Sequence, residues 1–269
     1  SGLLGVETTY CHPDEVAAAV RPDTGLVVVE TPANPTLDIV DMRAVADIGH
    51  DAGAIVVVDN AFASPILQRP FEFGADVVAY AATKLMDGQG RVLGGAVLGN
   101  ASFINDVLLP FTRNTGPTLS AFNAWVILKS LETLDLRVRR AAENAQKVAS
   151  FLETRVPRLL YPGLASHPQH ALAMQQMEAG GTIMALFVDG ARPQAHALLD
   201  ALELIDISNN VGDSRTLMTH PASTTHASVA EDKRLEMGIT EGMLRLSVGL
   251  EDPRDLIADL DQALRRAGL

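Results

Sequence analysis

Short apolar runs and helical stripes alternate along the first part of the chain. Residues 26–30 (LVVVE) form a β-branched run closed by Thr31-Pro32, the pattern of a buried strand. Asp41 is placed to cap a helix in which Met42, Val45, Ile48, Gly49 and Ala52 recur at helical spacing until Gly53 ends it. Buried strands follow at 55–59 (IVVVD), at 76–80 and at 92–98. Strand, helix, strand in that order predicts parallel pairing and an α/β fold.

The period then changes. From Ser120 to about Arg155 it is helical, with one apolar stripe at Trp125, Leu128, Leu131 and Leu134 and the next at Val138, Ala141, Ala145 and Val148. The lone tryptophan is assigned to the core. Pro157 and Tyr161-Pro162-Gly163 interrupt the pattern. Beyond them, 182–189 predicts a strand and 193–202 a helix. Ser228 with Glu231 predicts a capping box before a short helix that ends at Gly238. An alternating strand is expected at 243–248. Asp252-Pro253 should then cap a last helix with Leu256, Ile257, Leu260 and Leu264 on one face. The expected organisation is the α/β unit over residues 1–135 and a smaller α+β domain over 136–269.

A chain of 269 residues, 47% hydrophobic and 20% charged, has the composition of an ordinary globular protein with one or two domains. Its 21 Lys and Arg against 33 Asp and Glu give a net charge of -12. That balance argues against unspecific binding of nucleic acid or an acidic membrane, and leaves open a pocket for a small anion. Cys11 is the single cysteine, so no internal disulfide forms, and a cytoplasmic, reducing compartment is expected. No apolar run reaches the length of a membrane span and no signal-peptide pattern is present; Ser1-Gly2 has the form of a cloning remnant.

Lys84, one of only four lysines, closes the third apolar run after Thr83 and precedes Gly88, Gly90, Gly94 and Gly95. An amine held there can form a Schiff base with a carbonyl cofactor; a solvated loop lysine is the other reading. Asp59 ends an apolar strand at the edge where open α/β sheets bind ligands, so it either pairs with a cationic partner or caps the next turn. Asn34, between Pro32 and Pro35, either points its amide at a ligand or is a turn residue. Thr83 either binds a phosphate or ends its strand. Arg245, alone on an apolar strand, either holds a carboxylate as a bidentate fork or forms a structural ion pair. Gly88-x-Gly90 lacks the third glycine of a dinucleotide fingerprint. His167, His170, His220 and His226 lie in loops without cysteine partners and are assigned no metal.

Residues 30–36 (ETPANPT), Val58-Asp59-Asn60, Ala82-Thr83-Lys84, 87–91 (DGQGR) and 244–249 (LRLSVG) together resemble the Cys/Met-metabolism family of pyridoxal-phosphate (PLP) enzymes, in that family's order and over nearly the whole chain. The resemblance implies a fold type I, aspartate-aminotransferase-like architecture, with residues 1–135 as the later part of the PLP-binding large domain. It implies pyridoxal 5'-phosphate as cofactor, with Lys84 as Schiff-base lysine and proton shuttle, Asp59 on the pyridine nitrogen, Thr83 on the phosphate and Asn34 near the ring oxygen and the substrate carboxylate. Arg245 is implied as the carboxylate clamp, with Asn210 nearby.

DGQGRVLGG and residues 206–210 are most similar to the branch acting on O-succinylhomoserine. That implies replacement of its γ-succinyl group by sulfide to give homocysteine, in methionine biosynthesis, by a homodimer or homotetramer. O-acetylhomoserine sulfhydrylase, cystathionine γ-synthase and γ-lyase activities are the alternatives within the family. A truncated, non-catalytic domain without firmly bound PLP is the alternative of another class. Two departures stand out. Ala81 replaces a usual serine and should remove one phosphate bond. The earlier section of the family chain, with its glycine phosphate loop, ring-stacking aromatic and Tyr/Arg arm, has no counterpart here.

Overall fold

The computed structural model describes residues 5–269; Ser1 and Gly2 lie outside the described residues. The first layer contains α1 (Val16–Ala19), β1 (Leu26–Glu30), α2 (Met42–Asp51), β2 (Ile55–Asp59), α3 (Ser64–Leu67), β3 (Val77–Tyr80) and β4 (Ala96–Gly99). The strands form one sheet in the order β1-β2-β3-β4. The first three are parallel, with Leu26 opposite Ile55 and Glu30 opposite Asp59, and β4 runs antiparallel to β3.

Asp41 caps α2 as expected, its carboxylate accepting the Ala44 N–H at 3.0 Å. The helix buries Met42, Val45, Ala46 and Gly49 against the sheet. A Cβ on Gly49 would lie 2.6 Å from Val56 Cγ2, so this helix packs closely because that position has no side chain.

Two strand expectations are corrected. β1 is only half covered: Leu26 is 53% and Val28 62% exposed, because α2 covers one face and no described residue covers the other. The fourth strand begins at Ala96 rather than Val92. Residues 88–95 are tied elsewhere, Arg91 N–H to Asp87 and Gly94 N–H to Thr83, and so cannot pair along β3.

The helical stretch is two helices after α4 (Leu109–Thr115): α5 (Ala121–Leu131), capped by Ser120 on the Asn123 N–H at 3.1 Å, and α6 (Leu134–Leu152). Trp125 is not core. It is 58% exposed, and Leu128 and Leu131 are exposed with it, while Val126 and Ile127 are buried. α5 is apolar nearly all round, so spacing alone does not choose its buried face. The stripe of α6 is buried as expected. Its Leu134, Val138 and Ala142 pack with Ile39 and Leu67, while Ala145, Val148 and Leu152 enter the second core. The helix therefore bridges both units.

The second unit contains β5 (Arg158–Leu160), α7 (His170–Gln176), β6 (Ile183–Phe187), α8 (Ala191–Asp200), β7 (Asp206–Ile207), β8 (Leu217–Thr219), α9 (Glu231–Glu236), β9 (Met243–Ser247) and α10 (Pro253–Arg266). The sheet order is β5-β6-β9-β8-β7, mostly antiparallel. Met184, Leu186, Leu198, Leu244, Leu246, Leu256 and Leu260 form its core. Asp252 caps α10 on the Arg254 N–H at 2.9 Å. The capping box at Ser228 does not form: α9 starts at Glu231 with Ala230 as N-cap, which leaves Ser228 outside the capping position. β9 is buried on both sides rather than alternating. Gln169 and Gln176 stitch the units together by binding the backbone of Ile39, Val40 and Met42. The loop after β1 is thereby held near the second unit. Among the described residues no helix is long and apolar enough to cross a membrane.

Candidate active site

β3 delivers the chain to a tight turn in which Lys84 N–H bonds Ala81 O at 3.0 Å. Asp87, fully buried, accepts the Arg91 backbone N–H at 2.6 Å and Arg91 Nε at 2.9 Å. Arg137 of α6 donates to Leu85 O at 2.8 Å and Met86 O at 3.2 Å. The glycine-rich stretch is therefore a collar, clamped by buried charge-assisted bonds, that fixes where Lys84 emerges. Thr83 is part of the clamp: its hydroxyl accepts the Gly94 N–H at 3.0 Å.

The Lys84 ammonium donates to Asn210 Oδ1 at 2.9 Å. Burial, and then the positive charge of Arg245, push its pKa below the usual lysine value. A larger share of neutral amine near neutral pH is what a proton-accepting lysine needs.

Arg245 on β9 is 2% exposed. Its Nη1 donates to Asn34 Oδ1 at 2.7 Å and its Nη2 to the Asn209 carbonyl at 2.8 Å; its buried Nε has no partner. Among the described residues it has no ion pair. Burial lowers its pKa to about 10, and Glu30 partly offsets the fall. A buried guanidinium held only by neutral oxygens is costly unless an anion joins it.

Asp59 stands at the carboxyl edge of β2, where its Oδ1 accepts the Ala61 N–H at 2.9 Å. Among the described residues its Oδ2 is left free for another partner. Glu30 ends β1 in register with it. Crowding by protein, and then the charge of Asp59, push the Glu30 carboxyl up to about 7, opposed by the Asn34 backbone N–H and by Arg245. Glu30 is itself exposed at the end of β1, so its electrostatic influence is screened.

The fold thus brings Lys84 to Asn210 and Arg245 to Asn34. It places Asn210 on the lysine, with the carbonyl of Asn209, its neighbour, on the arginine. Asp59 lies at the same sheet edge without touching either cation. Sequence reading missed Glu30; its signal was a carboxylate closing an apolar run beside a second such run. One shallow cleft is lined by His50, Asp76 and Phe103, and another borders the collar at Asp87, Arg91 and Arg137.

Gly212 closes the site from behind. It has φ +72° and donates its N–H to Ser247 Oγ at 2.9 Å, and a Cβ there would lie 2.7 Å from the Leu85 backbone nitrogen. Gly212→Ala should lower stability by about 1–3 kcal/mol through strain and overpacking. It should also displace the Lys84 turn. Thermal melts of the variant check this, and an unchanged melting temperature refutes the close approach.

Known proteins resemble this chain over nearly its whole length. The chain is 48% identical over 269 residues to O-succinylhomoserine sulfhydrylase of Mycobacterium tuberculosis (strain ATCC 25618 / H37Rv), covering 97% of this chain and 66% of that protein. It is 43% identical over 267 residues to L-methionine gamma-lyase of Porphyromonas gingivalis, covering 97% of this chain and 67% of that protein. The crystal structure of cystathionine gamma synthase from Xanthomonas oryzae pv. oryzae in complex with cystathionine superposes with a TM-score of 0.92 at 39% identity, over 96% of this chain and 67% of that one. The chain thus spans about two thirds of the length of the relatives it matches. With the profile of the Cys/Met metabolism PLP-dependent enzymes matching residues 3–265, and a fold those solved relatives share, the chain belongs to that family.

Proposed function

We propose that the protein carrying this chain is a PLP-dependent transferase of methionine biosynthesis. It exchanges the succinyl group of O-succinylhomoserine for sulfide, breaking the Cγ–O bond and forming a Cγ–S bond, to give homocysteine and succinate. The observation that carries the reading is the pairing of a half-buried lysine of depressed pKa with a buried arginine that lacks an anion, joined by the strap Asn209-Asn210. The 48% identity to a sulfhydrylase supports sulfide as the nucleophile over elimination.

The donor set fits pyridoxal 5'-phosphate: an accessible amine, a carboxylate with a free oxygen at the sheet edge, and an amide between them and the arginine. Lys84, Asp59, Asn34 and Thr83 are the residues that would hold it, although the Thr83 hydroxyl is already engaged by Gly94. When bound, this cofactor supplies an aldehyde for amine condensation and a ring that withdraws charge from the substrate Cα. Arg245 binds the substrate α-carboxylate through its fork and orients the Cα–H bond. Lys84 Nζ accepts the Cα proton and later returns it, and Asn210 holds the nitrogen in place between transfers.

The exposed Phe122, Trp125, Leu128, Leu26 and Val28 support a homo-oligomer, dimer or tetramer. The cytoplasm is the proposed compartment. The test is an assay with sulfide and either O-succinylhomoserine or O-acetylhomoserine, repeated with cysteine in place of sulfide. Homocysteine with succinate release is expected. Release of 2-oxobutyrate and ammonia without homocysteine would assign elimination instead.

A further inference from the structure

We propose that Thr219 is a positioning residue: its buried hydroxyl holds Asn209, and through Asn209 it fixes both the carbonyl that steadies Arg245 and the amide that holds Lys84. This inference rests on the carboxylate-binding reading of Arg245. Thr219 stands directly opposite Arg245 in the β8–β9 ladder, and Ser247 lies two positions further along β9. Opposite residues of an antiparallel pair share a face, and so do alternate residues of one strand. Thr219 and Ser247 are 1% exposed and Arg245 2%, in two strands whose other members are all Leu or Met. Polar groups in such surroundings need partners. All three find them in the strap 209–212. Arg245 Nη2 donates to the Asn209 carbonyl at 2.8 Å, Thr219 Oγ1 donates to Asn209 Oδ1 at 2.8 Å, and Ser247 Oγ accepts the Gly212 N–H at 2.9 Å.

Asn209 itself is exposed, so packing does not fix its direction and these bonds do. Its carbonyl belongs to the rigid peptide plane that leads into Asn210, whose Oδ1 takes the Lys84 ammonium at 2.9 Å. A grip on Asn209 at both side chain and carbonyl therefore sets the angle of that plane. Without the Thr219 bond, Arg245 pulls on a carbonyl that is free to turn, and the guanidinium loses a fixed partner. Stability depends little on this bond. Thr224 Oγ1, 3.0 Å from the Thr219 hydroxyl, keeps the His220 carbonyl at 2.7 Å, and exposed Asn209 can turn to water.

The experiment compares Thr219→Val, Thr219→Ser, Arg245→Ala and the double variant Thr219→Val/Arg245→Ala in the full-length protein. KM is measured for whichever co-substrate of the assay above is turned over, since each amino acid there carries an α-carboxylate. Amide hydrogen exchange is followed over residues 206–216 in the same variants. Thr219→Val should raise KM about 3- to 10-fold, the worth of one neutral hydrogen bond, with a smaller fall in kcat. It should speed exchange in the strap and leave the melting temperature near that of wild type. Thr219→Ser, which keeps the hydroxyl, should behave as wild type. In the Arg245→Ala background the Thr219→Val step should no longer change KM, because both side chains act through one residue. A merely structural role would give the same step in both backgrounds. A wild-type KM in Thr219→Val, an equal step in both backgrounds, or unchanged strap exchange overturns the role of Thr219. An unchanged KM in Arg245→Ala overturns the carboxylate reading itself. Where no co-substrate is turned over, the proposed function fails and the exchange data alone decide on Thr219.

Discussion

Lys84→Ala should abolish homocysteine formation, with kcat falling by about 10³- to 10⁴-fold, while leaving the fold standing. The size of the loss follows from removing the one amine at the site, which serves both as attachment point and as proton carrier; positioned acid–base groups contribute about 10²- to 10⁴-fold by themselves. The fold survives because Lys84 Nζ makes a single bond, to Asn210, and the turn is held instead by Asp87, Arg91 and Arg137. Losing that half-buried bond costs about 1 kcal/mol. Turnover and thermal melts on the same preparation check both halves. Turnover above about one tenth of wild type refutes the assignment of Lys84, and a collapse of the melting transition refutes the independence of the collar.

Arg245→Ala should raise KM for O-succinylhomoserine by about 10- to 100-fold with a smaller change in kcat. Hydrogen bonds to charged groups contribute about 1.5–3 kcal/mol, and a fork on a carboxylate is bound in ground and transition states alike. Arg245→Lys should recover only part of the affinity, since a point charge replaces a planar fork. Stability should change little in either direction. The substitution removes a buried cation that has no ion pair, and it leaves Asn34 Oδ1 and the Asn209 carbonyl without a donor. Steady-state kinetics against substrate concentration give the answer, and an unchanged KM argues against the clamp.

The elements that sequence reading placed well were those whose determinants are local. α2 and α10 carry their own caps at Asp41 and Asp252 and a clear stripe. β1 and β2 announce themselves through unbroken β-branched residues. The failures share a cause. Trp125 was assigned inward and lies outward, because a helix apolar on all sides carries no vector. Val92 reads as strand and sits in a collar, because its N–H goes to Asp87 and the stretch around it is tied by Thr83 to Gly94 and by Arg137 to Leu85, the last across 52 positions of sequence. Glu30 passed unnoticed because its importance is its register opposite Asp59, a property of two strands rather than one.

From residue order alone came the family, the lysine, the edge carboxylate and the lone arginine, since each is a residue type in a distinctive local frame. Tertiary structure decided which of them meet. The 209–210 strap reaches Lys84 with a side chain and Arg245 with a carbonyl, across 126 and 36 positions of sequence. Asn34 meets Arg245 across 211. Desolvation lowers the pKa of both Lys84 and Arg245, Arg245 lowers that of Lys84 further, and Glu30 partly offsets the fall at Arg245; all of this arises only once packing has brought the groups out of water and within range of each other.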